Sequence, residues 1–223
     1  SSVSANTDAG FSVVSYTGNG SSNQTAGHGL SVKPELKIIK SRSIVEQWVV
    51  SGEILGGADY RMFMQSTAAV GTASGYYPAD TSTTLGISGS NVSNGHNQNN
   101  ATYIAYCFHS VDGYSKVGSY TGNGNADGTF IYTGFRPAFI IVKNTDQVEG
   151  WCQWDSAREP YNKMSKQLMP DDPRAEYTAN TTTFAIDFVS NGVKLRSSYS
   201  ALNNNNQDFL YIAFAESPFK YSN

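Results

Sequence analysis

The chain has 223 residues, 39% of them hydrophobic, 13% aromatic and only 15% charged, against roughly 25% charged in an ordinary soluble domain. That apolar content is enough to offset chain entropy and excludes a disordered chain. A net charge of -3 with scattered Lys and Arg leaves no basic footprint for nucleic acid, and no apolar run approaches the ~18 residues of a membrane span.

In chain order, residues 1–10, "SSVSANTDAG", read as a leader or linker without a charged-then-apolar signal. "FSVVSYTG" alternates and stops at Gly18, as a strand does. "ELKIIKS" is a short apolar run bounded by Pro34 and polar residues, and "EQWVVS" is aromatic and β-branched; both read as strands. "ADYRMFMQST" (58–67) reads as two helical turns, almost the only helical signal. In "TYIAYCFHS", Tyr103, Ala105 and Cys107 share one face, and Ile104, Tyr106 and Phe108 the other. Bulk on both faces suits a central strand.

The same order then begins again. "SYTGNG" occupies residues 15–20 and 119–124. "KPELKIIK" meets "RPAFIIVK", Trp48 meets Trp151, and "NNATYIAYCF" meets "NNQDFLYIAFAE", with a few residues inserted in the second copy. A repeat of about a hundred residues is of domain size, not a solenoid unit. We therefore expect two tandem duplicated β-sandwich-like domains, all-β with long loops and little helix. One spans residues 11–110 and the other 114–223, joined by the tight "VDG" at 111–113. In the second copy "AFIIVKN", "GWCQWD" and "TTFAIDFVS" read as strands, and Asn191 with Gly192 as a type I′ turn into "VKLRSSY". Residues 158–177 carry three prolines and read as loop. Cys107 and Cys152 are too few for a disulfide framework, and their pairing stays open.

At "HGLSVKPELKIIK", "YIAYCFHSVDGYSKVGSYTGNG", "TGFRPAFIIVK" and "YIAFAE" the chain resembles a tandemly repeated domain of uncharacterised function. That domain is found in tail and virion structural proteins of tailed, notably marine, bacteriophages. The resemblance runs from about Phe11 onward and departs from the usual "HGLG" at Ser31. It implies a virion context and a role in structure or attachment, and it transfers no catalytic residues.

Chemistry is sparse. His28, His96 and His109 form no His-x-x-x-His pair and there is no Cys-x-x-Cys, so no metal or cofactor is expected. Asp127 in "TGNGNADGT" is one carboxylate, too few for a strong Ca²⁺ site, and the run reads as a turn. No Gly-x-Ser-x-Gly elbow is present. Candidate glycosidase-like pairs are Asp155 with Glu159, or Asp171 with Asp172, and Trp151, Trp154 and Tyr161 lie near Asp155 in sequence. A strand end followed by polar loop explains them better, so no enzyme is expected.

Two segments break the repeat, residues 52–80 and 155–177. Loops on a rigid β scaffold commonly carry recognition, and Tyr and Arg are enriched at interfaces. Binding candidates are Tyr60, Arg61, Tyr76 and Tyr77 in the first, and Trp154, Arg158, Tyr161, Arg174 and Tyr177 in and beside the second. The expected role is a non-enzymatic tail fibre or spike component. Its partners would be other virion proteins, a host surface glycan or receptor, and further copies of itself in a homo-oligomer, by default a trimer, with neither nucleic acid nor membrane insertion. The alternatives are a capsid decoration or adaptor protein and, last, a polysaccharide depolymerase.

Overall fold

In a computed structural model of the chain, residues 1–72, 74–75, 77–88, 96–178 and 183–218 are described. Two compact units divide it: Ser1–Met64 with Val70–His109, and Gln65–Ala69 with Ser110–Asn223. Both are built of antiparallel sheets.

The first unit has one seven-stranded sheet. Its strands are β1 (Ser2–Asn6), β2 (Phe11–Thr17), β4 (Leu36–Ser41), β5 (Val49–Gly52), β6 (Gly57–Phe63), β7 (Gly71–Thr72) and β9 (Thr102–Phe108), in the order β1-β2-β9-β4-β5-β6-β7. A second sheet pairs β3 (Gln24–Gly27) with β8 (Thr84–Ser88). Ala26, Leu85 and Ile87 from the small sheet pack with Val14, Tyr16, Ile39, Val49, Tyr103 and Ala105 from the large one. Two sheets closing on one apolar layer is a sandwich arrangement. Alternation sets which residues enter that layer: β9 buries Tyr103, Ala105 and Cys107 and leaves Ile104, Tyr106 and Phe108 half-exposed. Flanked by β2 and β4, β9 is central as expected.

The second unit has a four-stranded sheet of β10 (Ser115–Thr121), β12 (Pro137–Asn144), β13 (Cys152–Asp155) and β18 (Asp208–Ala215), in the order β10-β18-β12-β13. Against it lies a three-stranded sheet of β11 (Phe130–Tyr132), β16 (Ile186–Val189) and β17 (Gly192–Leu195), in the order β11-β17-β16. Ile131, Ile186, Phe188, Val193 and Leu195 meet Ile140, Val142, Trp154, Phe209 and Tyr211 in its core. Residues 155–177 hold only β14 (Lys166–Gln167), which pairs with β15 (Tyr177–Thr178). Among the described residues the one α-helix, α1 (Ser200–Asn203), is a single turn.

The strand orders of the two large sheets run in parallel: β2-β9-β4-β5 in one, β10-β18-β12-β13 in the other. Register fixes the equivalences. Tyr16 pairs with Tyr103 and Tyr120 with Phe209, so Tyr103 corresponds to Phe209. Superposing the two "YIA" strings instead aligns Tyr103 with Tyr211, two residues too far.

Four expectations are corrected. Residues 1–10, read as leader or linker, hold a strand: Ser2–Asn6 form β1, paired along its length to β2. The segment read as helical turns is largely strand β6, because Val49, Val50 and Ser51 of β5 pair with Phe63, Met62 and Arg61; pairing overrides the propensity of Arg, Met and Phe. Residues 65–69 pack with the second unit rather than the first; there the Thr67 carbonyl accepts from Lys143 Nζ at 3.2 Å and Glu149 N at 2.9 Å. The hairpin of β16 and β17 turns through Ser190 and Asn191, since Val189 pairs with Gly192, and neither Asn191 nor Gly192 has the positive φ of a type I′ turn. Gly192 is glycine for space: a Cβ there would strike the Ile131 carbonyl and the Phe130 ring.

Candidate recognition surface

The repeated "TGNG" closes each sandwich. Asn19 N donates to Asn97 Oδ1 at 3.0 Å, and Asn97 Nδ2 returns bonds to Asn19 Oδ1 at 2.7 Å and the Ser21 carbonyl at 2.8 Å. In the second unit Asn123 N donates to Asn203 Oδ1 at 3.0 Å, and Asn203 Nδ2 donates to Asn123 Oδ1 at 2.8 Å and the Asn125 carbonyl at 2.9 Å. Gly18 and Gly122 sit so close to the following loop that a Cβ would collide with the carbonyls of Gln98 and Asn204. Both buried asparagines are satisfied by this lock, so the motif is structural and not a ligand loop. Asp127 is likewise engaged, 2.9 Å from Lys194 Nζ. Among the described residues no cluster of three His, Cys, Asp or Glu is placed to hold a metal.

The nine candidate residues separate. Trp154 and Tyr77 are buried and leave the set, because a core side chain cannot meet a partner. Trp154 packs in the sheet core of the second unit, and Tyr77 donates or accepts at His96 Nδ1 over 2.9 Å. Tyr76 lies outside the described residues. Tyr60 and Arg61 are half-buried on β6, with the Arg61 guanidinium 5.9 Å from the Phe63 ring. Arg158 is tied inward: its Nε reaches Asp155 Oδ2 at 2.6 Å, and its Nη1 reaches Glu176 Oε2 at 2.7 Å and the Lys166 carbonyl at 3.2 Å. Tyr161, Arg174 and Tyr177 are exposed.

The carboxylates near them are also tied. Burial pushes the Asp155 carboxyl up, but the hydrogen bonds and charge of Arg158 outweigh it and hold the group below the usual carboxylate range. Glu159 accepts from Ser165 N at 2.6 Å and Lys166 N at 2.8 Å. Asp171 Oδ1 accepts from Trp151 N at 2.8 Å, and Asp172 binds Arg174 Nη2 at 2.8 Å. A glycosidase acid needs a raised pKa, the opposite of what Asp155 has.

The second unit presents exposed aromatic rings and a cleft to solvent. Tyr161 is 81% exposed and Tyr177 47%. The Tyr177 ring stands edge-on to Phe184 at 5.5 Å, and Phe184 meets Tyr199 at 4.5 Å. Tyr199 borders a cleft of about 450 Å³ that Lys163, Thr183, Arg196, Ser197 and Ser198 also line. Its Arg196 is oriented by Asp187, Nε to Oδ2 2.6 Å. Cations, hydroxyls and exposed rings are recognition chemistry for a polar surface ligand. Sequence reasoning missed Tyr199 and Arg196 because they follow a strand, β17, far in sequence from the loop they join; the hydroxyl-rich "RSSY" was the available signal.

The first unit has a buried charge instead. Lys37 Nζ donates to Asp80 Oδ1 at 2.6 Å and to the Gly86 carbonyl at 3.0 Å, and it stands 4.6 Å from the Tyr77 ring centre. Burial lowers the pKa of the Lys37 ammonium and Asp80 opposes it. The pair is closed to solvent, so it fastens the loop carrying Asp80 onto the sheet.

Cys107 and Cys152 are free and buried, one in each core. Among the described residues no helix is long and apolar enough to cross a membrane.

No curated protein and no solved structure matches the chain. A family model matches residues 1–218, and on that match the chain belongs to the family described as Domain of unknown function (DUF7483).

Proposed function

We propose that this chain is a non-enzymatic structural protein of a bacteriophage virion, in a tail fibre or spike, and that its second unit touches a host surface glycan or receptor. The observation that carries the reading is the exposed pair Tyr177 and Tyr199, joined through Phe184, with Tyr199 lining a cationic, hydroxyl-lined cleft on a rigid β scaffold; Tyr161 is exposed in the same unit. The first unit, with the same strand order, carries a closed ion pair and a smaller cleft of about 220 Å³ beside Arg42. The low charge and Ser/Thr/Asn-rich surface fit a particle component.

The two units are, on this reading, products of a tandem duplication. Matched strand order and the matched locks of Asn97 and Asn203 support it. After duplication one copy kept scaffold work and the other elaborated loops.

The test is binding of the fluorescently labelled chain to host cells. Saturable binding near micromolar concentration is expected, weakened by the triple variant Tyr161→Ala, Arg174→Ala, Tyr177→Ala. All three side chains are exposed, so circular dichroism should be unchanged. Unsaturable or undetectable binding by the parent protein would remove the attachment reading.

A further inference from the structure

A second cleft, of about 510 Å³, opens in the second unit and shares no residue with the one bordered by Tyr199. Its size is within the range of ligand sites, roughly 300–1,000 Å³. Asp112, Lys116, Tyr132, Thr133, Phe135 and Ser217 line it.

Both walls are fixed turns. On one side Tyr114 N and Ser115 N both donate to the Val111 carbonyl at 3.0 Å, which holds Asp112 and Gly113 in a tight turn. On the other, Thr133 Oγ1 donates to the Phe135 carbonyl at 2.6 Å, and Thr133 N and Gly134 N donate to the Asn191 carbonyl at 3.1 and 3.2 Å. Preformed walls lower the entropy cost of binding.

Two features of the lining bear on a ligand. Tyr132 is 65% exposed, on the outward parity of a strand whose neighbour Ile131 is core. Among the described residues Asp112 and Lys116 have no ion pair and no side-chain hydrogen bond, whereas Asp127, Asp155, Asp172, Asp187, Lys194 and Arg196 in the same unit are paired. An unpaired carboxylate, an unpaired ammonium and a bare aromatic face therefore converge on one cleft.

We propose that this cleft binds a neutral saccharide. The Asp112 carboxylate accepts from adjacent ring hydroxyls, the Lys116 ammonium donates to a hydroxyl or ring oxygen, and the Tyr132 face covers the C–H side of the pyranose. One negative and one positive group sum to zero, so the cleft has no net charge with which to prefer an anion or a cation. The inference is independent of the attachment reading: it concerns a different set of residues and needs neither cell nor particle.

Saturation-transfer NMR and calorimetry on the purified chain test it, with glucose, galactose, mannose and N-acetylglucosamine as neutral probes and glucuronate as the acidic one. At least one neutral sugar should bind saturably at around millimolar strength. Tyr132→Ala should abolish transfer to the ring protons, and Asp112→Asn should weaken binding about tenfold, the size of one lost charge-assisted hydrogen bond. The rim variant of Tyr161, Arg174 and Tyr177 should bind the same sugar unchanged. Glucuronate binding that Lys116→Ala abolishes and Asp112→Asn strengthens would overturn the proposal in favour of an anion site. No saturable neutral sugar at tens of millimolar, roughly the weakest binding such a site would show, would overturn it outright. Failure of cell binding with sugar binding intact would discard the attachment reading alone.

Discussion

The two units answer the same structural problem differently. Across the large sheet of the first, the ladder brings Ser12, Cys107, Lys37 and Ser51 into one row on the core side. The equivalent row in the second is Lys116, Ala213, Ile140 and Trp154. A buried lysine thus occupies the place of Ile140. The scaffold evidently accepts either, provided the charge is closed by a partner, and Asp80 closes it at 2.6 Å. The polar version is not the more stable choice on general grounds, because desolvation of both charges consumes most of their attraction.

The largest effects should come from breaking that pair on one side. Asp80→Ala leaves Lys37 buried and unpaired and should destabilise the first unit by about 3–5 kcal/mol, read by hydrogen exchange at β4 and β9 amides. The double change Lys37→Ile with Asp80→Val copies the apolar solution and should be neutral or stabilising; a loss as large as the single variant's would show that the pair contributes more than closure.

The equivalent tryptophans give a contrast of similar size. Trp151 is fully buried and Trp48 is 36% exposed, although each directly precedes the strand that pairs with the equivalent neighbour, β13 beside β12 and β5 beside β4. Trp151→Ala should cost about 3–5 kcal/mol, and Trp48→Ala under about 1 kcal/mol, by denaturant titration of each variant.

Acid should separate the units next. All three histidines fall in the first unit, and Leu202 occupies the place of His96 in the second. Burial lowers His96 from 6.5 to about 4, with a smaller opposing hydrogen bond to the Gln47 carbonyl, and burial also lowers His28. The unfolded chain takes up protons near pH 6.5 that the folded chain refuses. Stability of the first unit is therefore complete above 6.5 and falls as pH drops from 6.5 to about 4, by about 3 kcal/mol for His96. The second unit's paired Asp127, Asp155 and Asp172 are held below the carboxylate value, so their loss begins lower. Exchange rates that rise in both units together between pH 6.5 and 4 would refute the assignment to histidine.

The smallest contrast is between the two locks. Asn203 also donates to the Ser197 carbonyl at 2.9 Å and accepts from Thr129 Oγ1 at 3.3 Å, contacts additional to the bonds it shares with the Asn97 lock. Asn203→Ala should cost about 3 kcal/mol and Asn97→Ala about 2 kcal/mol, measured by thermal unfolding.

Strands were the legible part of this sequence. "FSVVSYT" and "LKIIKS" announce themselves because a half-buried or buried strand needs that alternation or that run. β6 was not legible, since its residues favour helix until β5 pairs with them. The lock was half legible: "TGNG" stood out as a repeat, but its partner asparagines lie about eighty residues on, as the separations of 78 and 80 show. Site residues were hardest. Trp154 and Tyr77 have the composition of recognition residues and are core, because exposure depends on which face of which strand turns outward. Tyr132, Asp112 and Lys116 come from three separate turns and strands, and only folding unites them.

The central proposal, a phage tail component that meets the host, is tested most directly by immunogold labelling of intact virions that carry the chain, with antibody raised against residues 1–218. The account predicts gold confined to the tail. Gold spread over the head would contradict it and assign the protein to capsid decoration.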